Sequence, residues 1–152
     1  MKLAHLARRY WRSLRAQSLD STEERWVRDR LLVGEQQLFD SMSTADQRHH
    51  WEVARRLCDS LPGDAPRAWC AAALLHDVGK VTAGMGTHRR VLATMLRFRR
   101  GDHAVARYHR HEDIGASLLL AAGSDHETIA LVGHWPDAPE QALEHLLRAD
   151  EI

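Results

Sequence analysis

The sequence has no apolar run long enough to cross a bilayer. Its longest, Ala68–Leu75, falls far short of the roughly 20 residues a membrane helix needs. The N-terminus has no apolar stretch suited to a signal peptide, so a cytoplasmic protein is expected. Cysteine is scarce, with only Cys58 and Cys70. Both lie in helical-looking segments, where two buried free thiols are expected rather than a disulfide or a metal pair. Lysine is nearly absent: Lys2 and Lys80 are the only two, and arginine supplies the remaining basic charge. There is no alternating strand pattern, no internal repeat and no low-complexity tract.

What remains is an ordinary soluble composition, with 44% apolar and 28% charged residues in 152. That length holds one domain with a real core and is too short for two. Net charge is zero but unevenly spread. From Val78 to His111 eight basic residues face one acid, whereas from Glu112 to the end nine acids face Arg148 alone. A basic middle segment suits an anionic substrate such as a phosphate ester. It also suits a solvated helix face paired with the acidic C-terminal third. No strong nucleic-acid signal accompanies it.

Almost every segment reads at helical period. Leu3, Leu6, Ala7, Tyr10, Trp11 and Leu14 recur every three or four residues, and that stripe is expected to pack on its own domain. Asp20 or Ser21 opens a second helix, which Gly34 ends before a short helix through Leu38, Phe39 and Met42. Ser43 or Thr44 caps a longer one through "ADQRHHWEVARRLCDSL". Pro66 opens "RAWCAAALLHD", and "GKVTAGMG" reads as a loop. Helices follow through "RRVLATMLRFRR", "EDIGASLLLAAG", "HETIALVGHW" (capped by Ser124 or Asp125) and "EQALEHLLRADEI". The expected fold is all-α, a compact bundle of eight or nine helices. Residues 1–42 form N-terminal helices that pack on a core of residues 43–152.

Eleven histidines are many for this length. Five of them (His5, His88, His103, His126 and His145) sit among polar neighbours and are expected on the surface. The "LLHDVGKV" stretch differs. It sets His76 beside Asp77 where an apolar run ends, then adds Gly79 and Lys80. Adjacent helical side chains diverge by about 100°, so the two share one cation only if it sits in the wedge between them. An aspartate at a helix C-terminus opposes the macrodipole, and a bound cation offsets that. Imidazole with carboxylate suits iron, manganese, cobalt, nickel and zinc. The chain also offers His49 or His50 in "RHHWEVARRL", His109 or His111 in "HRHEDIG", His134 in "LVGHWPD" and Asp150 in "LLRADEI".

In that order these residues resemble the HD-domain superfamily of metal-dependent phosphohydrolases, over roughly Ala45–Glu151. The pattern is a histidine, a later His-Asp doublet and a closing aspartate, with two further histidines between in binuclear members. "HDVGK" and "HEDIGASLL" are its most specific parts. The resemblance implies His49, His76, Asp77 and Asp150 as ligands of one divalent ion. It implies His111 and His134 as ligands of a second, with Asp77 bridging. Iron or manganese is foremost, with magnesium, nickel, cobalt or zinc as the other candidates. Two ions about 3.5–4 Å apart make a hydroxide nucleophile near neutral pH, which Asp77 would hold.

Lys80 is expected to meet a phosphate oxygen as charge builds in the transition state, with Arg89 and Arg90 as further substrate contacts. The implied activity is hydrolysis of a small phosphorylated substrate, a nucleotide foremost. The alternatives are a non-catalytic metal- or nucleotide-binding regulatory domain and, behind it, a di-iron oxygenase. No "GYP" follows His134, and the marks of alarmone and deoxynucleoside-triphosphate hydrolases are absent. Neither substrate nor oligomeric state is legible.

Overall fold

The computed structural model describes residues 17–81 and 104–151, and among them every regular element is helical. The helices are α1 Ser21–Arg28, α2 Val33–Asp40, α3 Thr44–Asp59, α4 Arg67–Leu75, α5 Val78–Val81, α6 Ala104–Ala121, α7 His126–Val132 and α8 Glu140–Asp150. The all-α expectation holds. The expected first helix and the helix through "RRVLATMLRFRR" lie outside the described residues, as do Arg89 and Arg90.

The starts follow local chemistry. Asp20 Oδ1 accepts from the Thr22 and Glu23 amides at 2.8 and 2.9 Å, and Glu23 Oε2 accepts from the Asp20 amide at 2.8 Å. This reciprocal pair satisfies donors that the first turn leaves open. Ser43 caps α3 and Asp125 caps α7. Pro66 stands just before α4, where its fixed φ and missing N–H cost nothing.

Three boundaries differ from expectation. Gly34 does not end α1, which stops at Arg28. It lies in the first turn of α2, where a Cβ would overlap the Ala122 carbonyl at the end of α6. The glycine marks a close crossing of two backbones, which a local sequence signal cannot reveal. "GKVTAGMG" begins as the helical turn α5 rather than as loop, and α6 starts at Ala104, well before "EDIGASLLL".

The centre is α4. Ala68 and every residue from Cys70 to Leu75 are buried, so this helix is apolar almost all round and must be enclosed. It packs against α2, α3, α7 and α8, while α5 lies on α6 and α6 on α7. Its three alanines, Ala71 to Ala73, let neighbouring backbones come near. Arg67 at its start reaches the fully buried Glu35 of α2 at 2.9 Å and also pairs with Asp125 before α7. Such a partly buried guanidinium fork fixes register between elements more than it adds net stability.

Candidate metal centre

The C-terminal end of α4 points at the middle of α3. His76 terminates α4 and Asp77 follows it, 8% exposed. His49 and His50 lie on α3, and Asp150 is the last residue of α8, which packs on both helices. Arg56 of α3 donates to the Ala149 carbonyl and holds the end of α8 in place.

Asp150 Oδ1 sits 3.2 Å from His49 Nε2 and 3.5 Å from His76 Nε2, and Asp77 Oδ2 lies 3.8 Å from His76 Nε2. Of the residues anticipated from sequence, His49, His76, Asp77 and Asp150 therefore come together.

His50 joins them. The rings of His49, His50 and His76 have centroids 5.5, 5.9 and 4.5 Å apart. One nitrogen from each lies within 4.8 Å of the other two. The sequence set His50 second to His49, because only one of them fits the spacing to Val53. In the fold both neighbours on α3 straddle the wedge that faces α4.

Tautomers follow from the partners. His50 Nδ1 is 3.0 Å from the Leu74 carbonyl, and His76 Nδ1 is 2.9 Å from that of Ala73. A carbonyl only accepts, so each Nδ1 carries the proton and each Nε2 of a neutral ring keeps a lone pair. Burial, with His76 and His49 nearby, pushes His50 well below the ordinary histidine value, so it stays neutral. Burial also works against charge on His76, but Asp150 and Asp77 outweigh it and raise its pKa. The hydrogen bond from His49, and then the His76 ring beside it, hold the Asp150 carboxyl far below its usual range, against burial.

The arrangement fits a divalent cation. His76 Nε2 is buried and makes no hydrogen bond. It faces two carboxylates that favour positive charge on it, and a proton and a metal ion compete for that lone pair. The neutral His50 and the adjacent His49 complete an N/O donor set of the kind borderline metals take.

The two remaining anticipated histidines are His111 and His134. Among the described residues His111 and His134 are not part of the three-imidazole cluster. His111 is brought near the doublet by backbone packing, since a Cβ on Gly79 would overlap the His111 carbonyl. That is why a glycine follows the doublet by two. His134 follows α7 and its Nδ1 lies 3.2 Å from Glu112, which is 8% exposed. Glu112 went unread in the sequence. The available signal was a carboxylate next to His111 at the start of an apolar helical face.

Lys80 Nζ is 2.7 Å from Asp77 Oδ1, one helical turn on, with its side chain 47% exposed. His109 lies outside the described side chains. No helix among the described residues is long and apolar enough to cross a membrane.

No curated protein and no solved structure matches the chain. A family model described as "HD domain" matches residues 48–150, most of the chain, beginning one residue before His49 and ending on Asp150. The chain belongs to the HD-domain superfamily of metal-dependent phosphohydrolases.

Proposed function

We propose that this protein hydrolyses a small phosphate ester, a nucleotide foremost, at the cluster formed by His49, His76, Asp77 and Asp150. The observation that carries the reading is the buried lone pair of His76 Nε2, directed at two carboxylates beside two further imidazoles. A divalent ion held there lowers the pKa of its water and offsets charge on the phosphoryl oxygens.

The chain's own residues divide the rest of the work. Asp77 turns Oδ2 towards His76 and Oδ1 towards Lys80. Oδ1 accepts a hydrogen bond from the attacking water and so orients it. Lys80 lies against Asp77 until substrate arrives. Its half-exposed ammonium then turns to a phosphate oxygen and meets charge as it develops. His111 and His134, with Glu112 behind His134, would hold a second ion. Arg89 and Arg90 complete the phosphate contacts.

The test is metal content followed by turnover. Protein purified without oxygen or chelator is analysed by mass spectrometry, then loaded with manganese or iron. It is next assayed for phosphate release from nucleoside mono-, di- and triphosphates and from aryl phosphates. Release that disappears in His76→Ala and Asp77→Ala is the expected result. Two ions per chain support the binuclear form and one the mononuclear form. A metal-loaded chain that releases no phosphate from any ester leaves a binding module and sinks the hydrolase. Full activity in either variant places the chemistry elsewhere.

A further inference from the structure

The two cysteines are free, as expected from sequence, but they are not independent. Cys58 lies in the last turn of α3, half-buried, and Cys70 is buried in α4, with their sulfurs 3.0 Å apart. A bonded pair stands at about 2.05 Å, so closure asks for a shift of about 1 Å. No other cysteine exists in the chain to compete.

We infer that Cys58 and Cys70 form an oxidisable dithiol site that hydrogen peroxide, or an organic hydroperoxide of similar reach, converts to an intramolecular disulfide. The site's electrostatics favour the chemistry. The hydrogen bond from Cys58 lowers Cys70 to about 7, and the guanidiniums of Arg30 and Arg67 act in the same direction against burial. The same hydrogen bond, with burial, pushes Cys58 up. The pair thus holds one proton between two sulfurs near neutral pH, and its charge belongs to both.

Peroxide arrives from the Cys58 side, the less buried one. With the shared proton held on Cys58, the Cys70 thiolate attacks one peroxide oxygen. The O–O bond breaks, hydroxide leaves and takes up a proton from solvent, and sulfur carries a sulfenic acid. Cys58 then attacks that sulfur, the S–O bond breaks, and the departing hydroxide takes the Cys58 proton as water. Two thiols and one peroxide give one disulfide and two waters. Sulfur is oxidised and peroxide oxygen reduced. The bond ties α3, which carries His49, to α4, which carries His76.

The experiment uses the whole chain. Reduced protein is exposed to equimolar hydrogen peroxide, quenched with iodoacetamide in denaturant, and analysed by intact mass and peptide mapping. The expected result is loss of two hydrogens, loss of both alkylation sites, and a linked peptide pair that dithiothreitol restores. The oxidised chain should also melt at a higher temperature than the reduced one. In Cys58→Ser, the remaining Cys70 should accumulate a sulfenic acid that dimedone traps. Two fully alkylated thiols after peroxide, or only intermolecular links or sulfinic acid, overturn the inference. Because the wild-type map alone decides, a variant that fails to fold does not protect it.

Discussion

Glu112 grips His134 through Nδ1 at 3.2 Å. The imidazole is thereby oriented with Nε2 on the far side, which is how a carboxylate prepares a histidine to bind a metal. His134 has φ 49°, left-handed backbone that few non-glycine residues adopt. That conformation closes the end of α7, where the Trp135 amide donates to the Ala130 carbonyl at 2.9 Å. If the proposed second ion is held there, Glu112→Gln should weaken its binding about 10–100-fold and leave the first unchanged. Metal titration followed calorimetrically distinguishes the two steps. Equal affinities in variant and wild type would remove His134 from the ligand set.

Lys80 is expected to serve turnover rather than metal binding. Lys80→Met should lower kcat by about 10²–10³-fold, the cost of removing one donor aimed at developing charge. The number of bound ions should not change. Loss of metal together with activity would instead make the Lys80–Asp77 pair at 2.7 Å a structural support of the ligand.

Gly79→Ala should be among the most damaging changes of small size. The added Cβ would meet the His111 carbonyl and, at 2.9 Å, the Gly115 amide nitrogen, all backbone. The helices must part, at about 1–3 kcal/mol or more. Urea midpoints measure that loss. Because the doublet and His111 move apart, kcat/KM should fall further than the lost folded fraction explains.

The metal-free protein should be most stable near pH 6.5. His50 is held below its unfolded value of about 6.5, so its contribution is complete above that pH and is lost as pH falls. His76 is raised; its contribution is complete below about 6.5 and is lost as pH rises through the folded value. Asp150 is depressed and gives way only in stronger acid, once pH drops below the unfolded carboxylate value of about 3.9. Urea midpoints of chelator-treated protein across pH test the signs. His50→Asn should flatten the limb between about pH 6.5 and 4, and His76→Asn the alkaline limb. A wild-type curve that keeps rising to pH 9 would contradict the assignment.

How much of this was legible depended on whether a feature was local. Asp20, Ser43 and Asp125 announce helix starts because a cap acts within three residues. His76, Asp77 and Asp150 stand out because they interrupt apolar stripes. The share of His50 in the cluster was hidden, since periodicity assigns adjacent residues to different faces and cannot show that a neighbouring helix end fills the wedge between them. Gly34 misled for the same reason, its role being a contact with Ala122 far along the chain. The Cys58–Cys70 approach depends on how tightly the α3–α4 turn closes, which spacing alone does not set.

The enclosure of α4 has one more consequence. Backbone amides over the buried run Cys70–Leu75 exchange with solvent mainly when the whole fold opens. His76 sits at the end of that helix, so the anchor of the metal cluster should outlast the fraying of outer elements. In heavy water, the segment ahead of His76 should be the last to take up deuterium. Ion release by slow local breathing should be rare, and loss of the metal and loss of the fold should arrive on the same timescale.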